Sequence, residues 1–306
     1  MGYEIESYAR HASEFEAYAA NKPLGEHART WLDAGTVDAW RHFRMYKTLD
    51  ALIAAYPRSS WLTLGDGRYG KDSRYLADSG MDATASDISD VLLKEAASTG
   101  YIAKWSQENA EMLSFENDSY DFALCKESYH HFPRPMMAIY EMLRVARIAI
   151  VLIEPNDAYI PRGMLAVVVR EAKNLVNWTL GKRHIRAEYE ESGNYVYRIS
   201  RREMEKVALG LNYPAVAFRG MNDAFLPGVE SERRADRGPL YWKLRALIGA
   251  KNLLCRIGAM DYSLMTAVLF KQAPTSECKR LLEDAGFTVK LLDRNPYATN
   301  VAPTGP

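Results

Sequence analysis

The sequence predicts an α/β fold, a parallel sheet covered by helices on both faces, and three observations predict it. Short apolar runs alternate with helical stretches from Trp61 to Pro155. The runs are apolar at successive positions, the pattern of strands buried on both faces. A glycine-rich turn, Gly65-Asp66-Gly67-Arg68-Tyr69-Gly70, joins the first run to the first helical stretch after it.

Residues 1–58 read as helices. In "AWRHFRMYKTLDALIAAY", Trp40, Phe43, Tyr46, Leu49, Leu52 and Ile53 recur every three or four positions and stop near Pro57. From Trp61 the period changes: "WLTLG" is a strand, "KDSRYLADSG" a helix ending at Gly80, and "DATASD" a second strand ending in acid. "DVLLKEAAST" is a helix, "YIAKWS" a third strand and "YDFALC" a fourth. "PMMAIYEMLRVA" is a helix with proline in its first turn, and "IAIVLIEP" a fifth, wholly apolar strand. Further on, "PRGMLAVVVREAKNLVNWTL" reads as a helix, and "SRREMEKVAL" as another, opened by a capping box of Ser200 and Glu203. "AVAFRG" and "LMTAVLFK" are late strands separated by an insertion over 223–262, and "CKRLLEDAGFTVKLL" adds a helix and a strand. There is no internal repeat or low-complexity tract.

Composition excludes several classes. Lys+Arg and Asp+Glu stand at 39 each in 306 residues, so no global basic field recruits nucleic acid. Three widely spaced cysteines, Cys125, Cys255 and Cys278, fit neither a disulfide framework nor a zinc site and suit a reducing cytoplasm. The first residues lack the basic start and apolar run of a signal peptide, and no stretch approaches a membrane-spanning length. The expectation is a cytoplasmic protein with no integral membrane part. No H-x-x-H, C-x-x-C or paired-carboxylate cluster accompanies His130 and His131, so no catalytic metal is expected.

Gly65 and Gly67 follow a strand and precede a helix, where backbone N–H groups can come close to a ligand. Asp87 closes the second strand about 20 residues on, where an acid can accept from both ribose hydroxyls. Together they point to an adenosine-bearing cofactor. The literal G-x-G-x-x-G spacing leaves open NAD as well as S-adenosylmethionine.

The residues that follow separate the two. Asn109-Ala110, Leu113-Ser114-Phe115, Tyr120-Asp121-Phe122-Ala123, His130-His131 and Glu141-Met142-Leu143-Arg144-Val145 stand in the order of an acid–Ala pair, L-P-F, F-D-x-V, a His-His loop and E-x-x-R-V. In these motifs residues 59–155 resemble the class I S-adenosylmethionine-dependent methyltransferases. The resemblance is faint over 196–271 and does not reach the N-terminal helices or the insertion. It implies a doubly wound, Rossmann-like, mixed seven-stranded sheet with N-terminal helices and a helical cap or insertion. The cofactor is then S-adenosyl-L-methionine, held by Gly65, Asp66, Gly67, Asp87, Ile88, Asn109, Ala110 and Lys126. The sequence departs from the family at Thr63, where an acid is usual, at Tyr69, where the third glycine is usual, and at Asn109, where an aspartate is usual. An asparagine oxygen can still accept from the adenine amine.

"ESYHH" closely resembles the E-S-L-H-H loop of O-methyltransferases that act on sugars in natural products. That resemblance implies His130 as the base that deprotonates a hydroxyl and Glu154 as the acid that assists it. A glutamine at 154 is then expected to cost less than loss of the imidazole. Tyr46, Tyr159, Tyr189, Tyr195 and Tyr197, with Asn194, Asn222 and Asp223, offer rings and amides suited to a polyhydroxylated acceptor, although packing of a cap accounts for most of the tyrosines. The basic helix at 240–258 reads as a cap or dimer element in preference to a membrane-surface helix. The implied function is methyl transfer to a small hydroxylated molecule such as a sugar or glycosylated intermediate. Its alternatives are an NAD-dependent oxidoreductase and a non-catalytic cofactor-binding protein. Partners are the small-molecule acceptor and, as a candidate, a second copy of the chain. The implied organisation is an N-terminal helical segment over 1–58, a methyltransferase domain over 59–222 and 262–306 with 156–199 as a cap, and a helical insertion over 223–261.

Overall fold

The structure is a computed structural model that describes residues 2–157, 163–179, 189 and 194–298. Four helices precede the first strand: α1 (Tyr3–Ala20), α2 (Lys22–Thr30), α3 (Val37–Tyr46) and α4 (Asp50–Ala55). The single period read over 39–56 is therefore two helices. It also had the wrong face at its start: α3 buries Val37, Asp38, Arg41, His42, Met45 and Tyr46, while Phe43 is exposed. Polar residues hold the inner face because they meet each other there, a case that apolar periodicity does not register.

The sheet then builds in alternation: β1 (Ser60–Leu64), α5 (Lys71–Asp78), β2 (Asp82–Asp87), α6 (Val91–Ser98), β3 (Trp105–Gln107), β4 (Tyr120–Lys126), α7 (Pro135–Val145) and β5 (Ala146–Pro155). After α8 (Met164–Thr179) and α9 (Arg201–Gly210) come β6 (Ala215–Met221), α10 (Pro239–Arg256), β7 (Leu264–Phe270), α11 (Ser276–Asp284) and β8 (Thr288–Leu291). Strand order is β3-β2-β1-β4-β5-β7-β6-β8. The first five strands are parallel, and β7, β6 and β8 join antiparallel. Among the described residues the sheet has eight strands, one more than the seven of the expected fold class. The extra strand is β8, the "TVKL" run, at the edge beside β6. The third strand lies later than expected, at Trp105–Gln107, because Ile102 turns inward beneath Gly70 rather than entering the ladder.

Apolar layers cover both faces. On one, Leu62, Ala123, Ile150 and Ala267 meet Ile139, Met142 and Leu143 of α7 and Met204 of α9. On the other, Trp61, Phe122, Val151 and Val268 meet Leu52 of α4, Leu76 of α5 and Leu282 of α11. Trp61 stacks on Phe122 at 4.4 Å between ring centroids. With both faces covered, ligands can approach the sheet at the carboxyl ends of its strands. α9 carries its expected cap, Glu203 N–H donating to Ser200 Oγ at 3.2 Å.

Candidate active site

The glycine turn sits at the carboxyl end of β1. Gly65 has φ +68, and a Cβ there would lie 2.3 Å from the Ser128 Cβ, so no side chain fits. Gly67 N–H donates to Asp87 Oδ2 at 2.9 Å, and a Cβ on Gly67 would fall 2.7 Å from that oxygen. The third glycine does something else: Gly70, at φ +70, is the cap residue of α5 and packs against Ile102. The residue before it, Tyr69, adopts φ +61, the left-handed conformation usual for glycine, and has its ring almost wholly buried near Leu92, Leu93 and Trp31. Ring burial thus offsets strain of about 1–2 kcal/mol.

A cavity of about 620 Å³ opens from this turn, and all but two of the predicted site residues line it: Gly65, Asp66, Asp87, Ile88, Asn109, Ala110, Lys126 and His130. Gly67 borders it through Asp87, and Glu154 stands behind it, fully buried. Asp87 accepts from Gly67 and Ser89 N–H. Burial nevertheless dominates and lifts its carboxyl to about 6. An adenosine ribose fits this position, where a buried carboxylate lies next to a turn kept clear of side chains.

Three predicted binders are partly committed elsewhere. The Asp66 carboxylate faces the first turn of α5, accepting from Asp72 N–H at 3.0 Å, Ser73 N–H at 2.9 Å and Thr63 Oγ1 at 2.8 Å. Thr63 therefore supports the acid three residues later instead of being one. Burial, with the charge of Asp72 beside it, raises Asp66 to about 8. Asn109 Oδ1 accepts from Glu111 N–H within its own turn. Lys126 Nζ lies 3.3 Å from Asp72 and 5.1 Å from the Tyr46 ring centre.

At the carboxyl ends of β4 and β5, Glu127 takes φ +51, turning the chain so that Ser128 and Tyr129 point their N–H groups at Glu154. Both donate to Glu154 Oε1, at 2.9 and 3.0 Å. The other oxygen, Oε2, lies 2.7 Å from His130 Nδ1. A carboxylate only accepts, so Nδ1 carries the proton, and in the neutral ring Nε2 is the lone-pair nitrogen. The His131 ring is 4.0 Å from that of His130, and its carbonyl accepts from Asn194 Nδ2 at 2.8 Å.

Sequence reasoning missed the roof and the far wall. Tyr8, His11, Glu14, Phe15 and Tyr18 of α1 line the cavity, as do Trp31 and, from α3, Asp38, Arg41 and His42. The spacing Tyr8-His11-Phe15-Tyr18, one helical stripe, was the available signal. Arg41 pairs with Asp38 and Asp223, tying α3 to the chain beyond β6. His42 contacts Glu127 and Asp38, and burial, then Lys126, lowers its pKa. Burial would raise Glu127, but His42, Lys126 and Arg41 together hold it well below the usual carboxylate range.

The polar residues proposed for an acceptor are engaged within the protein. Asn194 accepts from Tyr3 and Ser7 hydroxyls, Asn222 bonds Asn252 and Ser263, and Asp223 is held by Arg41. Tyr189, Tyr195 and Tyr197 pack edge to face on one another, and Tyr195 and Tyr197 line a separate concavity beside Met136 and Lys206. Tyr46 does reach the main cavity, its hydroxyl donating to Asp72 at 2.6 Å. Tyr159 lies outside the described residues. Among the described residues no group of side chains could hold a metal ion, and no helix is long and apolar enough to cross a membrane.

A doubly wound sheet, a glycine turn facing a buried acid and a cavity at the carboxyl ends of the strands fit a class I, Rossmann-like S-adenosylmethionine-dependent methyltransferase domain. The family model described as a methyltransferase domain matches residues 62–149, which run from β1 to β5. The chain is an S-adenosylmethionine-dependent methyltransferase, and the oxidoreductase reading, carried by the spacing of Gly70 alone, falls. Among solved structures, the chain is similar to the YcgJ protein of Bacillus subtilis, at 18% identity and a TM-score of 0.45 over 74% of this chain and 99% of that one. It is also similar to a Thermotoga maritima S-adenosylmethionine-dependent methyltransferase titled a possible histamine N-methyltransferase, at 13% identity and a TM-score of 0.46 over 84% and 99%. Comparison with curated proteins finds no match.

Proposed function

We propose that the chain transfers a methyl group to a hydroxyl of a small polyhydroxylated acceptor, a sugar or glycosylated intermediate, with His130 as base. The observation that carries this reading is the 2.7 Å contact between His130 Nδ1 and Glu154 Oε2 at the cavity wall. Gly65, Gly67, Asp87, Ile88 and Ala110 would hold the cofactor, which when bound supplies an electrophilic methyl on a sulfonium. Nε2 of His130 takes the acceptor's proton, and Glu154, fixed by two backbone N–H groups, keeps the imidazole in the required tautomer and stabilises the imidazolium. Across the cavity, Asp38, Arg41 and Glu127 supply polar groups, and Phe225 and Trp31 supply rings, a combination suited to hydroxyls on a carbon frame. α1 adds Tyr8, His11, Phe15 and Tyr18 to the same cavity, which narrows the space left to solvent around the reacting group.

The test is transfer of a labelled methyl from the cofactor to a panel of sugars, sugar nucleotides and glycosylated small molecules. Label is expected on an oxygen, with kcat lowered by about 10²–10⁴ in His130→Ala and cofactor affinity nearly intact. Label on nitrogen or carbon alone, or an undiminished rate in the variant, would remove the reading.

A further inference from the structure

α10 buries a seam of Tyr241, Leu244 and Ile248 against Val37 and Val229. The opposite side of an amphipathic helix at that position would be polar. Here it is not. At about 100° per residue, Trp242, Leu253 and Ile257 fall in one stripe directly away from the seam, with Ala246, Gly249 and Ala250 between them. The three large side chains are 51%, 59% and 57% exposed. Lys243 borders the stripe on one side, and Arg245 and Arg256 on the other.

The apolar surface continues into α8. A Cβ on Gly163, immediately before α8, would lie 3.9 Å from the carbonyl of Gly258, just after α10, so the two helices meet end to end. Met164 and Val168, on one side of α8, are 86% and 58% exposed.

Charge identifies what covers this face. The whole chain has equal numbers of acidic and basic residues, yet residues 233–257 hold seven Arg or Lys and one acid, Asp236. Arg233 pairs with Asp33 and Lys251 reaches the Asp223 carbonyl, while Lys243, Arg245 and Arg256 flank the stripe. Glu232, just before them, is turned inward and accepts from Leu240 and Tyr241 N–H at the start of α10. A second copy docked through a two-fold axis would set this positive face against itself. Nucleic acid would pair the charges and leave the Trp, Leu and Ile stripe without a partner. An anionic bilayer satisfies both, apolar side chains entering the acyl boundary while the flanking cations meet headgroups.

We propose that α10, with the start of α8, is a membrane-surface element that docks the enzyme peripherally on anionic lipid. This inference does not depend on the identity of the methyl acceptor. The test is co-sedimentation of the full chain with vesicles of phosphatidylcholine alone and of phosphatidylcholine mixed with phosphatidylglycerol. Binding is expected to the mixed vesicles, weakening with salt, with a blue shift of tryptophan emission that Trp242→Phe reduces. Leu253→Glu with Ile257→Glu, and separately Lys243→Glu with Arg245→Glu, should each lower partitioning by about tenfold or more. All four side chains lie on the exposed side of α10, so thermal melting and cofactor binding should stay as in wild type. The proposal is overturned if wild type ignores the mixed vesicles, or if folded variants bind them equally. It is also overturned if ultracentrifugation shows a dimer that Leu253→Glu with Ile257→Glu dissociates.

Discussion

Replacing Glu154 by glutamine should be as damaging to catalysis as removing His130. The reason lies in how the carboxylate is divided. Oε1 accepts from both Ser128 and Tyr129 N–H, so in Glu154→Gln the amide oxygen must take that position. The amide nitrogen then occupies the place of Oε2, 2.7 Å from His130 Nδ1, and offers a proton where an acceptor stood. Nδ1 has to become the acceptor, and the ring proton moves to Nε2, the nitrogen required as base. The rate should fall by about 10²–10⁴, which corresponds to about 3–5 kcal/mol of barrier. Stability should fall much less, by about 2 kcal/mol, as two bonds to a charged acceptor become bonds to a neutral one. Nitrogen-15 NMR of the imidazole reads the tautomer without an acceptor, and labelled methyl transfer reads the rate. A glutamine variant with near-normal kcat, or one that keeps the proton on Nδ1, would refute the reasoning. The sequence suggested that glutamine would be the milder change, since an amide can orient an imidazole. The two backbone donors reverse that expectation.

Three further outcomes follow from the site. Asp87 titrates near 6, and ribose hydroxyls donate to its charged form, so cofactor affinity should rise with pH through about 6 and then level, with Asp87→Ala losing about 1.5–3 kcal/mol in calorimetry; affinity that is flat between pH 5 and pH 7 would exclude this role. Asp66, held near 8, keeps a proton in the folded chain that the unfolded chain has lost above about 4. Its contribution is thus full below about 4, drains away as pH rises to 8, and has a slope near 1.4 kcal/mol per pH unit between; denaturation midpoints of Asp66→Asn should lack that slope, and an identical slope in both proteins would contradict it. Gly65→Ala combines φ +68 with a 2.3 Å clash on Ser128 and should cost about 1–3 kcal/mol in melting while displacing the loop that carries His130; an unchanged melt and rate would mean that the turn yields freely.

Residues 61–155 were largely legible because their strands are apolar on both faces and end at sharp turns, a pattern that few alternatives share. β2 was read to the residue, and β4 and β5 to within two. The glycine turn at the end of β1 and the pairing of His130 with Glu154 were legible as motifs. What escaped notice depends on pairings between distant residues. Arg41 and Asp223 lie 182 positions apart, and neither one's neighbours indicate that the other is buried beside it. Asn194 and Asn222 looked like binding amides because a sequence gives their chemistry and not their partners. α1 was unreadable as a roof because its inward stripe of Tyr8, His11, Phe15 and Tyr18 is half polar, as a cavity requires and a core does not.

Asn194 has a consequence for how the walls of the cavity are held together. Its side chain takes the hydroxyls of Tyr3 and Ser7 from α1 and gives its own N–H to the carbonyl of His131, beside the base. The helix along one wall of the cavity and the loop that carries His130 and His131 are therefore joined through a single side-chain amide. A change at Asn194 would act on both walls at once, although the His130 ring itself is held separately, by Glu154.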